Sequence, residues 1–183
     1  MKQLFFIITC SLFIVTSTAL AQNTSKYRGF VDLGYTVGLG DYGLDRMELV
    51  TSHGRQFNPH LYLGLGTGIH YYADFKTTFL PLFIDFRSTL AKSTSSPFLG
   101  LKLGYSLNTK DDFNANFYVA PSFGVRFMIT EKAAMNLSIG YSAQRIDFIT
   151  YYPTDPRDYY GEYSYEESSE MTSGFSFKIG VEF

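Results

Sequence analysis

Cysteine is almost absent: one residue, Cys10, in a chain of 183. A disulfide scaffold and a thiolate metal cluster are thereby excluded. Tryptophan is missing altogether, and proline occurs only six times. Charge is sparse too. Asp, Glu, Lys and Arg make up 17% of the residues, below the roughly 25% of an ordinary soluble domain. Fifteen basic residues face 17 acidic ones, a balance that argues against a nucleic-acid binder and its concentrated basic face. What the chain does have is aromatic rings, 18 Phe and 15 Tyr. Chains this rich in aromatics and poor in charge bury enough surface to offset chain entropy, so a disordered chain is not expected. A mean hydropathy of -0.03 nevertheless resembles that of a soluble protein, and the two facts need reconciling.

The N-terminus reads as an address label. Lys2 supplies a positive n-region, Leu4 to Val15 an apolar core, and Ala19-Leu20-Ala21 an A-x-A cleavage site. The domain division is then a signal peptide over 1–21 and one barrel domain over 22–183. Cys10 lies inside the apolar core and leaves with it. Removal of 1–21 takes away Lys2 and no acid, leaving 14 basic and 17 acidic residues and no cysteine. Beyond residue 21 no apolar run approaches 18 residues, so no spanning helix is expected.

The rest of the chain alternates. Val31, Leu33, Tyr35, Val37 and Leu39 are large and apolar, whereas Asp32, Gly34, Thr36 and Gly38 between them are polar or small. The same period-two pattern runs through Leu61–Tyr71, Leu99–Leu107, Phe117–Ile129, Met135–Tyr141 and Phe175–Phe183. Weaker versions occupy Arg46–His53 and Phe79–Leu90. Eight half-buried strands are predicted, and helical periodicity is lacking. One face of each strand is Leu, Ile, Val, Phe and Tyr. The other is mostly Gly, Ser and Thr with a few charges of both signs. Small, charge-balanced residues suit the narrow interior of an eight-stranded barrel whose large residues face lipid. Averaging the two faces also accounts for the near-zero hydropathy. The fold class expected is all-β, an eight-stranded antiparallel up-and-down transmembrane β-barrel. Its inner turns would be Gly54–Asn58, Ala91–Pro97 and Thr130–Ala134. Its outer loops would be Gly40–Asp45, Tyr72–Thr78, Asn108–Ala115 and Asp147–Thr172.

Five segments carry a resemblance: Leu61-Tyr-Leu-Gly-Leu-Gly-Thr-Gly68, Pro81-Leu-Phe-Ile-Asp-Phe-Arg87, Pro97-Phe-Leu-Gly-Leu-Lys-Leu-Gly-Tyr105, Pro121-Ser-Phe-Gly-Val-Arg126 and the Phe183 terminus. Over residues 22–183 the chain resembles the small outer-membrane β-barrel proteins of the Bacteroidetes type, and more broadly OmpA/OmpX-like barrels. The peptidoglycan-binding domain of OmpA-like proteins has no counterpart before Phe183. The resemblance implies a bacterial outer-membrane location, reached through the periplasm. It implies contact with outer-membrane lipids and lipopolysaccharide, and insertion by the barrel-assembly machinery with Phe183 as the insertion terminus. It specifies architecture rather than role.

Candidate chemistry falls in three places. Arg28, Asp32, Glu48, Asp85, Arg87, Lys102, Arg126, Lys178 and Glu182 all lie on the polar phase and are expected in the lumen. They would line a selectivity pore or form a salt-bridged plug. The plug is favoured, since eight strands leave room for little beyond side chains. His53, His60 and His70 lack metal-ligand spacing, so neither a metal nor a cofactor is expected. A lipid-modifying site at the outer rim would need His70, Ser106, Ser142 and Asp147 to converge. The segment Asp147–Thr172 holds seven acids against Arg157, together with Tyr151, Tyr152, Tyr159, Tyr160, Tyr163 and Tyr165. Tyrosines suit a recognition loop for a surface ligand, because they offer contact area at low entropic cost. They equally suit an interfacial girdle.

Overall fold

The computed structural model describes residues 27–74, 76–91, 93–109, 115–130, 132–153 and 163–183, with the backbone alone for 147–153 and 163–168. The expected leader, 1–21, lies outside them. Eight strands follow one another: β1 (Tyr27–Leu39), β2 (Arg46–Asn58), β3 (Leu61–Tyr72), β4 (Thr77–Thr89), β5 (Ser95–Asn108), β6 (Ala115–Met128), β7 (Ala134–Pro153) and β8 (Tyr163–Glu182). Each pairs antiparallel with its neighbours in sequence, and β8 returns to β1 to close the barrel. Closure places Leu33 opposite Ile179. It ends in a reciprocal pair of backbone hydrogen bonds between Gly29 and Phe183, at 2.8 and 3.0 Å. Backbone pairing around the full circle leaves no open edge.

The two phases of every strand take opposite sides of this wall. Leu33, Leu49, Ile84 and Phe177 are exposed on the outside, and Leu65 is 70% exposed. Asp32, Glu48, Asp85 and Lys178 are buried inside. The inner face is not as small as its Gly, Ser and Thr suggest. Phe30, Tyr62, Tyr72, Phe79, Phe83, Phe98 and Tyr118 all turn into the lumen and are buried. Glycines make their room: the Phe98 ring lies 2.6 Å from where a Cβ on Gly124 would stand.

Three expected boundaries are corrected, the first being the turn Ala91–Pro97, which closes earlier because β5 already pairs with β6 from Ser95. Strand β2 runs on through Gly54–Asn58 to pair with β3, as in Gly54↔Gly64, so the turn there is only Pro59–His60. Polar residues in 54–58 mimic a turn, but a strand at the end of a barrel needs no apolar partner on either face. The segment Asp147–Thr172 is not a loop throughout: β7 continues to Pro153 and β8 begins at Tyr163. Beyond Gln144 on β7 and Ser173 on β8, each strand pairs only with the other. These residues form a two-stranded arm, with Tyr151 opposite Tyr165 and Pro153 opposite Tyr163. Residues 145–153 would span ~30 Å at the usual strand rise. Tyr159 and Tyr160 lie outside the described residues.

The barrel has a turn end, where β2, β4 and β6 finish and the described chain begins and ends, and a loop end, where β1, β3, β5 and β7 finish. At the loop end Gly40 takes a positive φ of 76° and accepts a hydrogen bond from the Gly43 amide. Asp45 clips this loop back onto β1, accepting from Gly38 N at 2.8 Å and from the Tyr35 hydroxyl at 2.7 Å. The Gly38 amide, and then the Tyr35 hydroxyl, hold its carboxyl below the usual aspartate range.

Candidate functional site in the barrel lumen

The inward charges of the eight strands gather in three layers along the lumen. At the turn end, Glu182 of β8 sits between two arginines. Arg126 of β6 donates Nε to Oε2 at 2.7 Å and Nη2 to Oε1 at 3.0 Å. Arg28 of β1 pairs with Glu182 through Nη1. Asn136 of β7 stands directly opposite Arg126 in the ladder. Its side chain is buried, and its Nδ2 has no hydrogen-bond partner.

The middle layer is denser. Asp32 of β1 accepts from Arg87 Nη2 at 2.7 Å and from Lys102 Nζ at 2.8 Å. Asp85 accepts from Arg87 Nη2 at 2.9 Å and from the Ser52 hydroxyl at 2.6 Å. The Arg87 guanidinium lies 3.8 Å over the Phe30 ring, and Lys102 Nζ is 5.4 Å from the Phe83 centroid. Two acids and two bases cancel, with Phe30, Phe83 and Phe98 filling the space around them.

At the loop end the centre is Glu48 of β2. Lys178 Nζ is 2.5 Å from its Oε2, and Arg46 Nε and the Thr36 hydroxyl donate to Oε1 at 2.8 and 2.6 Å. Arg46 spends its other nitrogens on Tyr72 OH at 2.9 Å and on Ser142 Oγ. His70 Nε2 lies 3.8 Å from Glu48. Above this layer Tyr72, Phe79, Ile146 and Leu44 make an apolar cap.

All nine expected lumen charges therefore face inward, divided as Arg28, Arg126 and Glu182, then Asp32, Asp85, Arg87 and Lys102, then Glu48 and Lys178. Sequence reasoning left out Arg46, the most enclosed cation of the set, although it stands on the inward phase two residues before Glu48. It also left out the neutral partners Thr36, Ser52, Tyr72 and Asn136. The histidines part company. His53 is on the outer wall, where Tyr27 OH and Thr51 Oγ1 meet its two ring nitrogens at 2.6 and 2.9 Å. His60 is in the β2–β3 turn, its Nδ1 2.7 Å from Thr89 O. His70 is fully buried, its Nδ1 3.4 Å from Gln144 Oε1. Ser106 and Ser142 are buried near it, but neither hydrogen-bonds the imidazole: Ser106 Oγ has no partner and Ser142 meets Arg46. The Asp147 side chain lies outside the described atoms. Among the described residues no group of three or more His, Cys, Asp or Glu is placed to hold a metal ion.

A cavity of about 720 Å³ opens at the turn end, lined among others by Arg28, Phe30, Phe57, Phe98, Arg126 and Asn136. Deeper, among Asp32, Asp85, Arg87 and Lys102, the free space shrinks to about 10 Å³, room for one water at most.

No protein-family model matches the sequence, and no characterised protein sequence matches it. Solved structures do match. Neisserial surface protein A (NspA) aligns over 85% of this chain and 95% of its own, with 14% identity and a TM-score of 0.57. The outer membrane protein OprG from Pseudomonas aeruginosa aligns over 86% of this chain and 94% of its own, with 13% identity and a TM-score of 0.50. At such identities the likeness concerns the fold: this chain is a closed eight-stranded antiparallel barrel of the kind those proteins adopt.

Proposed function

We propose that the chain is an integral outer-membrane β-barrel with a structural or surface-interaction role and a lumen plugged by its own side chains. One observation carries the reading: the barrel is inside out relative to a water-soluble one. Leucines, isoleucines and phenylalanines cover its exterior, while its buried interior holds the ion pairs. An apolar belt that runs around the whole wall far exceeds the few hundred Å² of contiguous apolar patch tolerated in water. Lipid is the solvent that suits it. Support for the plug comes from the middle layer, where paired charges and phenylalanines leave space for a single water, and from the apolar cap above Glu48. The role at the surface would fall to the β7–β8 arm, which among the described residues runs beyond the closed wall. No catalysis is included, since His70 contacts Gln144 rather than either buried serine.

The turn-end cavity favours a second reading, a narrow solute pore. Planar-bilayer recording with the purified, refolded chain separates the two. A plugged barrel gives no discrete openings. Regular unitary openings that vanish when the chain is omitted would overturn the plug.

A further inference from the structure

The turn-end cavity has the features of a binding site. Its charge is unbalanced: Arg28 and Arg126 share the single carboxylate of Glu182. A guanidinium carries five N–H donors. Glu182 engages Nε and Nη2 of Arg126 and Nη1 of Arg28, which leaves the remaining donors of both residues for a second acceptor. The Arg28 side chain keeps about a third of its surface open to solvent. An independent observation points the same way. The side chain of Asn136, buried beside Arg126, lines the same cavity and holds an amide donor with no partner. Buried donors left unpaired are unfavourable, and a site that leaves one is suited to an acceptor from outside. Phe30, Phe57 and Phe98 supply an apolar wall alongside. At about 720 Å³ the space falls within the range of small-molecule pockets.

We infer that this vestibule binds a small monoanion, a carboxylate or phosphodiester joined to an apolar or aromatic body. The anionic head meets Arg28, Arg126 and Asn136 and brings the layer to neutrality with Glu182. The body lies against the phenylalanines. Planar and tetrahedral oxyanions both suit guanidinium donors. Because the barrel wall is closed, a ligand reaches the vestibule from the water at the turn end and not sideways from the bilayer. The site is therefore one for a soluble molecule rather than for a lipid of the surrounding leaflet. It does not depend on whether the barrel conducts.

The test is titration of the refolded full chain, in a neutral detergent, with 4-phenylbutyrate. Side-chain amide and arginine Nε–H resonances would be followed by NMR. Saturable shifts of the Asn136 amide and of the Arg28 and Arg126 signals are expected. Arg28→Gln, which leaves the Arg126–Glu182 pair in place, should weaken binding about tenfold, the usual factor for one charge-assisted hydrogen bond. Asn136→Leu should weaken it several-fold. Phenethylammonium should produce no saturable shift, and inorganic phosphate should bind at least tenfold more weakly for want of an apolar body. Equal response to the cationic and anionic aromatics would overturn the inference. So would unchanged affinity in a folded Arg28→Gln variant, or no saturable shift by phenylbutyrate at millimolar concentration.

Discussion

Two glutamates, one at each end of the lumen, hold the same formal company and live in different surroundings. Glu48 lies between Arg46 and Lys178, and Glu182 between Arg28 and Arg126. Each layer counts two cations against one carboxylate. Around Glu48 the protein supplies partners for every nitrogen of Arg46 and for Lys178, although His70 Nε2, Ser106 Oγ and Gln144 Nε2 are buried without one. Arg46 is 1% exposed, its three nitrogens end on Glu48, Tyr72 and Ser142, and an apolar cap shuts water out. Around Glu182 the protein stops short. Arg28 stays about a third exposed at an open cavity that Arg126 and Asn136 also line. Counting charges does not tell a plug from a site. The access of water does. A buried ion pair contributes little net stability, but breaking it strands a charge without water. The loop-end layer is accordingly a structural element, and the turn-end layer is open to a ligand.

The largest difference should appear on removing the carboxylates. Glu48→Gln strands Arg46 and Lys178 in a dry interior and should cost about 3–5 kcal/mol. Glu182→Gln leaves Arg28 about a third exposed and Arg126 at the wall of an open cavity, so it should cost less, roughly 1–2 kcal/mol. Reversible urea unfolding in lipid vesicles would measure both. Without tryptophan in the chain, circular dichroism or the gel mobility of the folded barrel must report the transition. Equal losses would break the comparison.

A finer cut tests donor satisfaction itself. Tyr72→Phe removes the acceptor of Arg46 Nη1 in the sealed layer and should cost roughly 1.5–3 kcal/mol, the range for a hydrogen bond to a charged group. At the other end Arg28→Gln should change stability by under about 1 kcal/mol, because Arg28 is solvated and Arg126 still holds Glu182. If Tyr72→Phe is as mild as Arg28→Gln, water reaches Arg46 and the cap does not seal.

The smallest effect concerns the loop-end rim outside the lumen. With its carboxyl depressed in the folded state, Asp45 contributes stability that is fully present above the ordinary aspartate pKa. That contribution fades as pH falls through the lower, folded value. Hydrogen exchange at the Gly38 amide should therefore accelerate, beyond its intrinsic pH dependence, only below the usual aspartate range. Asp45→Asn should remove that pH dependence. Loss of the dependence without change in the Glu48 layer would show that rim and plug are separate.

Much of this molecule was legible in its residues, for a local reason. A strand puts successive side chains on opposite faces, so odd-phase Leu33 and Leu65 and even-phase Asp32 and Glu48 declare their sides without reference to any other strand. Ends were harder to read. Gly54–Asn58 has a turn-like composition and Asp147–Pro153 leads into an acidic, proline-bearing stretch, yet both pair as strands because a neighbouring backbone continues beside them. Within the lumen, Arg46 was as visible as Glu48 by phase. What hid its importance was that its partners come from other strands, Tyr72 from the adjoining β3 and Ser142 from β7, 96 residues on.

The sequence by itself determined that the wall is β, that it has eight strands, and which face of each is apolar, since period-two patterning is a property of neighbouring residues. Tertiary structure alone decided which charges meet. Asp32 and Lys102 are 70 residues apart and join across the lumen only because closure of β8 on β1 sets the register of every strand around the ring. The same closure decided where inward phenylalanines fall against opposing glycines. It thereby sealed one glutamate among protein groups and set the other, equally buried, between arginines that line an open cavity.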